Sequence, residues 1–160
     1  MKSRVWRGLT LGIAAIGLSA CGGETEAPVP ANPDAPPGIS VSDAQMNLPA
    51  VAGNPAAVYF SITNDSDQQA IVRAANVAGA ESAMMHQTAK WDNQSDMQEV
   101  FQLAVPARET LILEPGGLHV MAMNVAEDLA PGDTTEVTLT FVGGDKISFP
   151  ASILAPGESD

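Results

Sequence analysis

The chain carries two histidines, His86 and His119, and both keep company with methionine. His86 follows Met84-Met85, and His119 opens the run His119-Val120-Met121-Ala122-Met123. On a strand, residues two apart share a face, so His119, Met121 and Met123 project together, as do Met84 and His86. Met97 stands in the polar stretch 93–98, where a methionine has little core to fill. Imidazole nitrogen with thioether sulfur makes a soft, neutral donor set that favours Cu(I) and suits Zn²⁺, Mg²⁺ or Ca²⁺ poorly. Thioethers need no deprotonation and cannot be lost to disulfides in an oxidising compartment. A blue-copper centre would need a cysteine thiolate, and the one cysteine, Cys21, lies far away near the N-terminus. Taken singly, a strand histidine is structural or solvated, and Met84, Met85 and Met123 read as packing or supporting residues. No Ser/His/Asp or Cys/His pairing offers a nucleophile, and Glu127-Asp128 sits beside a turn, so the chain is not read as an enzyme.

The elements that must position these groups follow a period of two. Val58, Phe60 and Ile62 alternate with Tyr59, Ser61 and Thr63; Val137, Leu139 and Phe141 alternate with Thr138 and Thr140; Ile147 and Phe149 flank Ser148. Further strands are expected over 39–45, 70–75, 81–88, 99–104, 110–113 and 118–125. Turn chemistry separates them at Asn64-Asp65-Ser66-Asp67, Pro115-Gly116-Gly117, Pro131-Gly132-Asp133 and Gly143-Gly144-Asp145. No stretch sustains a helical period. Eight or nine short strands at this spacing predict an antiparallel β-sandwich over 39–154.

Outside that unit the sequence changes character. Lys2, Arg4 and Arg7 precede the ten-residue apolar run 9–18, too short to cross a bilayer and matching a secretory signal. Leu18-Ser19-Ala20-Cys21 resembles a lipobox, so residues 1–20 are expected to be a removed lipoprotein signal and Cys21 the lipidated N-terminus. Buried acyl methylenes would then hold the protein on an extracytoplasmic membrane face. Gly22 after the cysteine resembles an outer-membrane sorting signal. The stretch 22–38 holds five prolines and almost no large apolar residue, so 21–38 reads as a tether and 155–160 as a flexible tail. Beyond residue 7 there are four Lys/Arg against nineteen Asp/Glu, a balance that repels phosphate backbones and excludes nucleic acid as a partner. Hydrophobic residues at 45% suffice for a core, which excludes a wholly disordered chain.

Ten residues separate His86 from Met97, twenty-one separate Met97 from His119, and one separates His119 from Met121. This spacing resembles the H-x10-M-x21-H-x-M signature of the PCu(A)C periplasmic copper chaperones. Asn54–Asn64 (NPAAVYFSITN), Leu113–Met123 (LEPGGLHVMAM) and Leu129–Asp133 (LAPGD) carry the likeness across the rest of 39–154. The resemblance implies an all-β, antiparallel Greek-key β-sandwich, cupredoxin-like or immunoglobulin-like, binding one Cu(I) through His86, Met97, His119 and Met121. It further implies a periplasmic chaperone that passes copper toward the copper-site subunit of cytochrome c oxidase or to another copper chaperone. Two other readings stay open: a lipoprotein that scavenges or stores copper, and a structural binding sandwich without metal.

Overall fold

The computed structural model describes residues 34–91 and 94–158, and among these no helix occurs. Ten strands follow in chain order: β1 (Ile39–Asn47), β2 (Ala56–Asn64), β3 (Ala70–Val77), β4 (Ala80–Trp91), β5 (Gln94–Glu99), β6 (Leu103–Val105), β7 (Glu109–Leu113), β8 (Leu118–Val125), β9 (Thr134–Phe141) and β10 (Lys146–Leu154). They hydrogen bond in the order β5-β4-β8-β2-β1-β10-β9-β3-β6, with β7 also pairing β2. All pairs are antiparallel except β1 with β10, which run parallel over Gln45–Asn47 and Ser152–Leu154. The sheet is therefore mixed rather than purely antiparallel. The parallel contact forms where β1, after a bulge at Asp43 (φ 54°), reaches the strands of the second layer.

Alternation decides which face is buried. In β2 each even-numbered residue from Ala56 to Asn64 is buried, and in β10 Ile147, Phe149, Ala151 and Ile153 are. β9 sends Thr135, Val137, Leu139 and Phe141 inward to the same core. Phe60 on β2 and Phe149 on β10 are not sheet neighbours, yet their rings lie 5.2 Å apart at 59°, so the two layers meet face to face there. Asn64, fully buried, donates to the carbonyls of Gln68 and Val105 and accepts from Ser66, which fixes the Asn64–Asp67 turn.

Three expectations change. The strand expected over 99–104 is two strands: β5 ends at Glu99, the chain bends through Val100–Gln102, and β6 pairs with β3 at the opposite edge. Val100 and Phe101 stand side by side and break the alternation here, where the chain leaves one layer's edge to reach the other's. Met97, placed by sequence in a polar connection, stands on β5 instead. At the ends, Asp34 and Gly38 accept backbone hydrogen bonds from Lys146 and Asp65, both 2.8 Å, so the sandwich's bonding begins within the stretch read as tether. Gly38 is at φ 80°, and a Cβ there would come within 2.9 Å of the Ser66 nitrogen, so glycine is required. Residues 155–158 form a turn in which Glu158 accepts from the Ala155 backbone N–H and from Asn47 Nδ2.

Candidate metal centre

The register of β4 against β8 sets His86 directly opposite His119, Met84 opposite Met121 and Ser82 opposite Met123. The residues between them, Met85, Val120 and Ala122, are buried in the core. Because strand side chains alternate, the His/Met set must project from the other, outer face. On the far side of β4, β5 sets Glu99 opposite His86 and Met97 opposite Thr88, so Met97 lies on the same face, one diagonal step from His86. On the near side, β2 pairs Ala57 with Met121 and brings the Tyr59 ring within 6.3 Å of the His119 ring. The face thus runs across four adjacent strands.

His86 and His119 meet edge to face, ring centroids 6.0 Å apart at 88°. Between this contact and Tyr59, His119 is buried to 6% exposure although it points away from the core. His119 Nδ1 lies 3.1 Å from the Gly117 carbonyl oxygen. A carbonyl only accepts, so Nδ1–H is the donor, which leaves Nε2 as the ring nitrogen not engaged by this bond. His86 Nδ1 lies 2.8 Å from Met121 Sδ, and since a thioether also only accepts, Nδ1–H donates to sulfur. A soft donor and an imidazole are therefore already in contact before any ion is considered. Met97 is 51% exposed on the edge strand, the most accessible of the four residues that the resemblance implies as ligands. Burial raises the pKa of the Tyr59 phenol above the usual tyrosine value, because the charged form is the one that loses solvation.

The structure brings His86, His119 and Met121 together and sets Met97 beside them on the neighbouring strand. Of the three methionines read as packing or supporting residues, Met85 lies in the buried core, whereas Met84 and Met123 are half-buried on the outer face and lie outside the buried cluster. Sequence reasoning missed Tyr59 and Glu99. Alternation already put Tyr59 on the outer face of its strand, but nothing in the sequence says that this strand adjoins β8. Cys21 lies outside the described residues.

The mixed two-layer sandwich is a PCuAC-type, cupredoxin-like β fold. The copper-bound PCuAC domain from PmoF2 superposes with a TM-score of 0.62 at 19% identity, covering 74% of this chain and 94% of that domain, a likeness of fold. The solution structure of Cu(I)-DR1885 from Deinococcus radiodurans matches with a TM-score of 0.60 at 30% identity, over 78% of this chain and 83% of that one. The family model for putative lipoprotein LpqE-like proteins matches residues 39–153, and the chain belongs to that family. A relative, the putative lipoprotein Lxx21020 of Leifsonia xyli subsp. xyli (strain CTCB07), is 30% identical over 143 residues, 89% of this chain and 85% of its own length.

Proposed function

We propose that this protein is a lipid-anchored, extracytoplasmic copper chaperone that binds one Cu(I) through His86, Met97, His119 and Met121 and hands it on. The observation that carries the reading is the cross-strand His86–His119 pair with Met121 Sδ already 2.8 Å from His86 Nδ1 on the outer face. The copper named in the DR1885 and PmoF2 structures supports it. All four ligands are neutral, so they select a soft monovalent ion and leave its charge uncompensated, which favours exchange over permanent storage. Met97, half-exposed on an edge strand, is the ligand an acceptor would displace first. Glu99, level with His86, adds a negative charge beside the entry without supplying a soft donor. The copper-site subunit of cytochrome c oxidase, or another copper chaperone, is the acceptor in this reading. Lipidation of Cys21 would hold the domain at the membrane surface, in keeping with the name of the Leifsonia relative.

The test is a competition titration of the full chain against a chromophoric Cu(I) chelator, followed by incubation with the apo copper-site domain of an oxidase subunit. Retention of Cu(I) against the chelator and its appearance on the acceptor are expected. Absence of any Cu(I) retention would remove the metal reading, and retention without transfer would leave a scavenger. The anchor is checked separately: Cys21→Ser should abolish partitioning into the detergent phase.

A further inference from the structure

Met84 and Met123 have no part in the ligand set just described, and the core does not explain them. Methionine ordinarily earns its place by filling irregular interior gaps, as Met46 (0% exposed) and Met85 (5%) do here. Met84, Met121 and Met123 instead stand half-buried on the outer face of β4 and β8, outside the buried cluster and outside the apolar residues packed against it. Their placement is compact. Met84 is directly opposite Met121, which puts their Cβ atoms about 5 Å apart, and Met123 is the next residue along the same face of β8. Met123 is thus the diagonal neighbour of Met84, about 7–8 Å away and within reach of two long, flexible side chains.

We infer that Met84, Met121 and Met123 form a second, all-thioether position for a soft monovalent d¹⁰ cation, Cu(I) or Ag(I), adjoining the histidine pair and sharing Met121 with it. Three neutral sulfurs without a carboxylate or imidazole suit such an ion and no hard divalent one. Met121 is the hinge between the positions, since its sulfur touches His86 Nδ1 while its cross-strand partner is Met84. An ion can therefore step from one position to the other by exchanging donors around Met121, never fully released to water. The inference rests on the proposed function only in that shared residue.

The test uses the full chain carrying Cys21→Ser, so that no thiol captures silver, with methionine methyl groups labelled with ¹³C and Ag(I) as a redox-inert probe. The Met97 and Met121 methyl signals and the histidine ring signals should move with the first equivalent. The Met84 and Met123 signals should move as the second is added, while those of Met46 and Met85 stay. Met84→Leu/Met123→Leu should lower the Ag(I) stoichiometry from about two to about one, because leucine keeps the apolar volume and removes the donor. His86→Ala/His119→Ala should retain the Met84 and Met123 response. If Met97, Met121 and the histidines respond while Met84 and Met123 do not, the second position is overturned and the proposed function stands. If Met84 and Met123 respond in the parent chain and Met97 and the histidines do not, the thioether position stands and the His/Met site falls. An unchanged stoichiometry in the leucine pair would also overturn the inference.

Discussion

The two layers of the sandwich obey one alternation and spend their outer faces differently. On β9 and β10 the outward residues are mostly polar, among them Glu136 and Lys146, and Thr138 and Ser148 hydrogen bond across the pair at 2.7 Å. On β4 and β8 the corresponding positions hold Met84, His86, His119, Met121 and Met123. Inward, the layers match: Leu139 and Phe149 on one, Met85, Val120 and Ala122 on the other. The core is complete without the outer methionines and histidines. On the proposed reading the large soft side chains of that face, His119 apart, serve the metal rather than the packing, and stability and metal affinity should therefore separate by layer.

The sharpest way to break that separation is a core truncation. Phe149→Ala removes a nearly buried ring packed at a tilt against Phe60 and should cost about 3–5 kcal/mol in urea denaturation. The folded fraction should bind Cu(I) with unchanged affinity in a competition titration. A large affinity loss would show the layers coupled.

His119 is the one residue that belongs to both sides of the comparison, outward-facing yet buried under Tyr59 and His86. His119→Ala should cost about 1–3 kcal/mol of stability and also remove most Cu(I) affinity, a joint effect that no other site substitution should reproduce. Met97→Leu should act on affinity alone. Its half-exposed side chain adds little to packing, so the melting temperature of the metal-free protein should stay nearly unchanged. Loss of one of four donors should weaken Cu(I) binding by about tenfold, roughly 1.4 kcal/mol, in the same titration. Met46→Leu is the counterpart from the other class: fully buried, it should shift stability by less than about 1.5 kcal/mol and leave copper binding alone.

The smallest effect concerns Tyr59. Its phenol has a pKa raised by burial, so the folded state holds that proton to higher pH than the unfolded chain does. The sign follows: stability from this group is complete below about pH 10 and is lost as pH rises beyond it. Tyr59→Phe keeps the ring against His119 and should flatten that alkaline loss, measured as melting temperature against pH, with no change near neutrality.

Much of this was legible in the sequence because it depends on local rules. A period of two fixes which residues of a strand share a face, and it gave β8 its bounds, Leu118–Val125, along with the common direction of His119, Met121 and Met123. The donor types point to a soft monovalent ion, and the intervals from His86 to Met121 carry the family resemblance. What period two cannot carry is which strand adjoins which and, where both faces hold apolar residues as on β4 and β8, which face meets the core. Those depend on pairings between residues far apart in the chain: β4 against β8, which sets His86 beside His119, and β2 against β8, which adds Tyr59. The break at Val100–Gln102, the strand under Met97 and the outward turn of Met84 and Met123 have the same origin. A one-residue slip in any of these registers would have reversed the faces. Local alternation is indifferent to that choice, and only burial of the whole inner surface at once decides it.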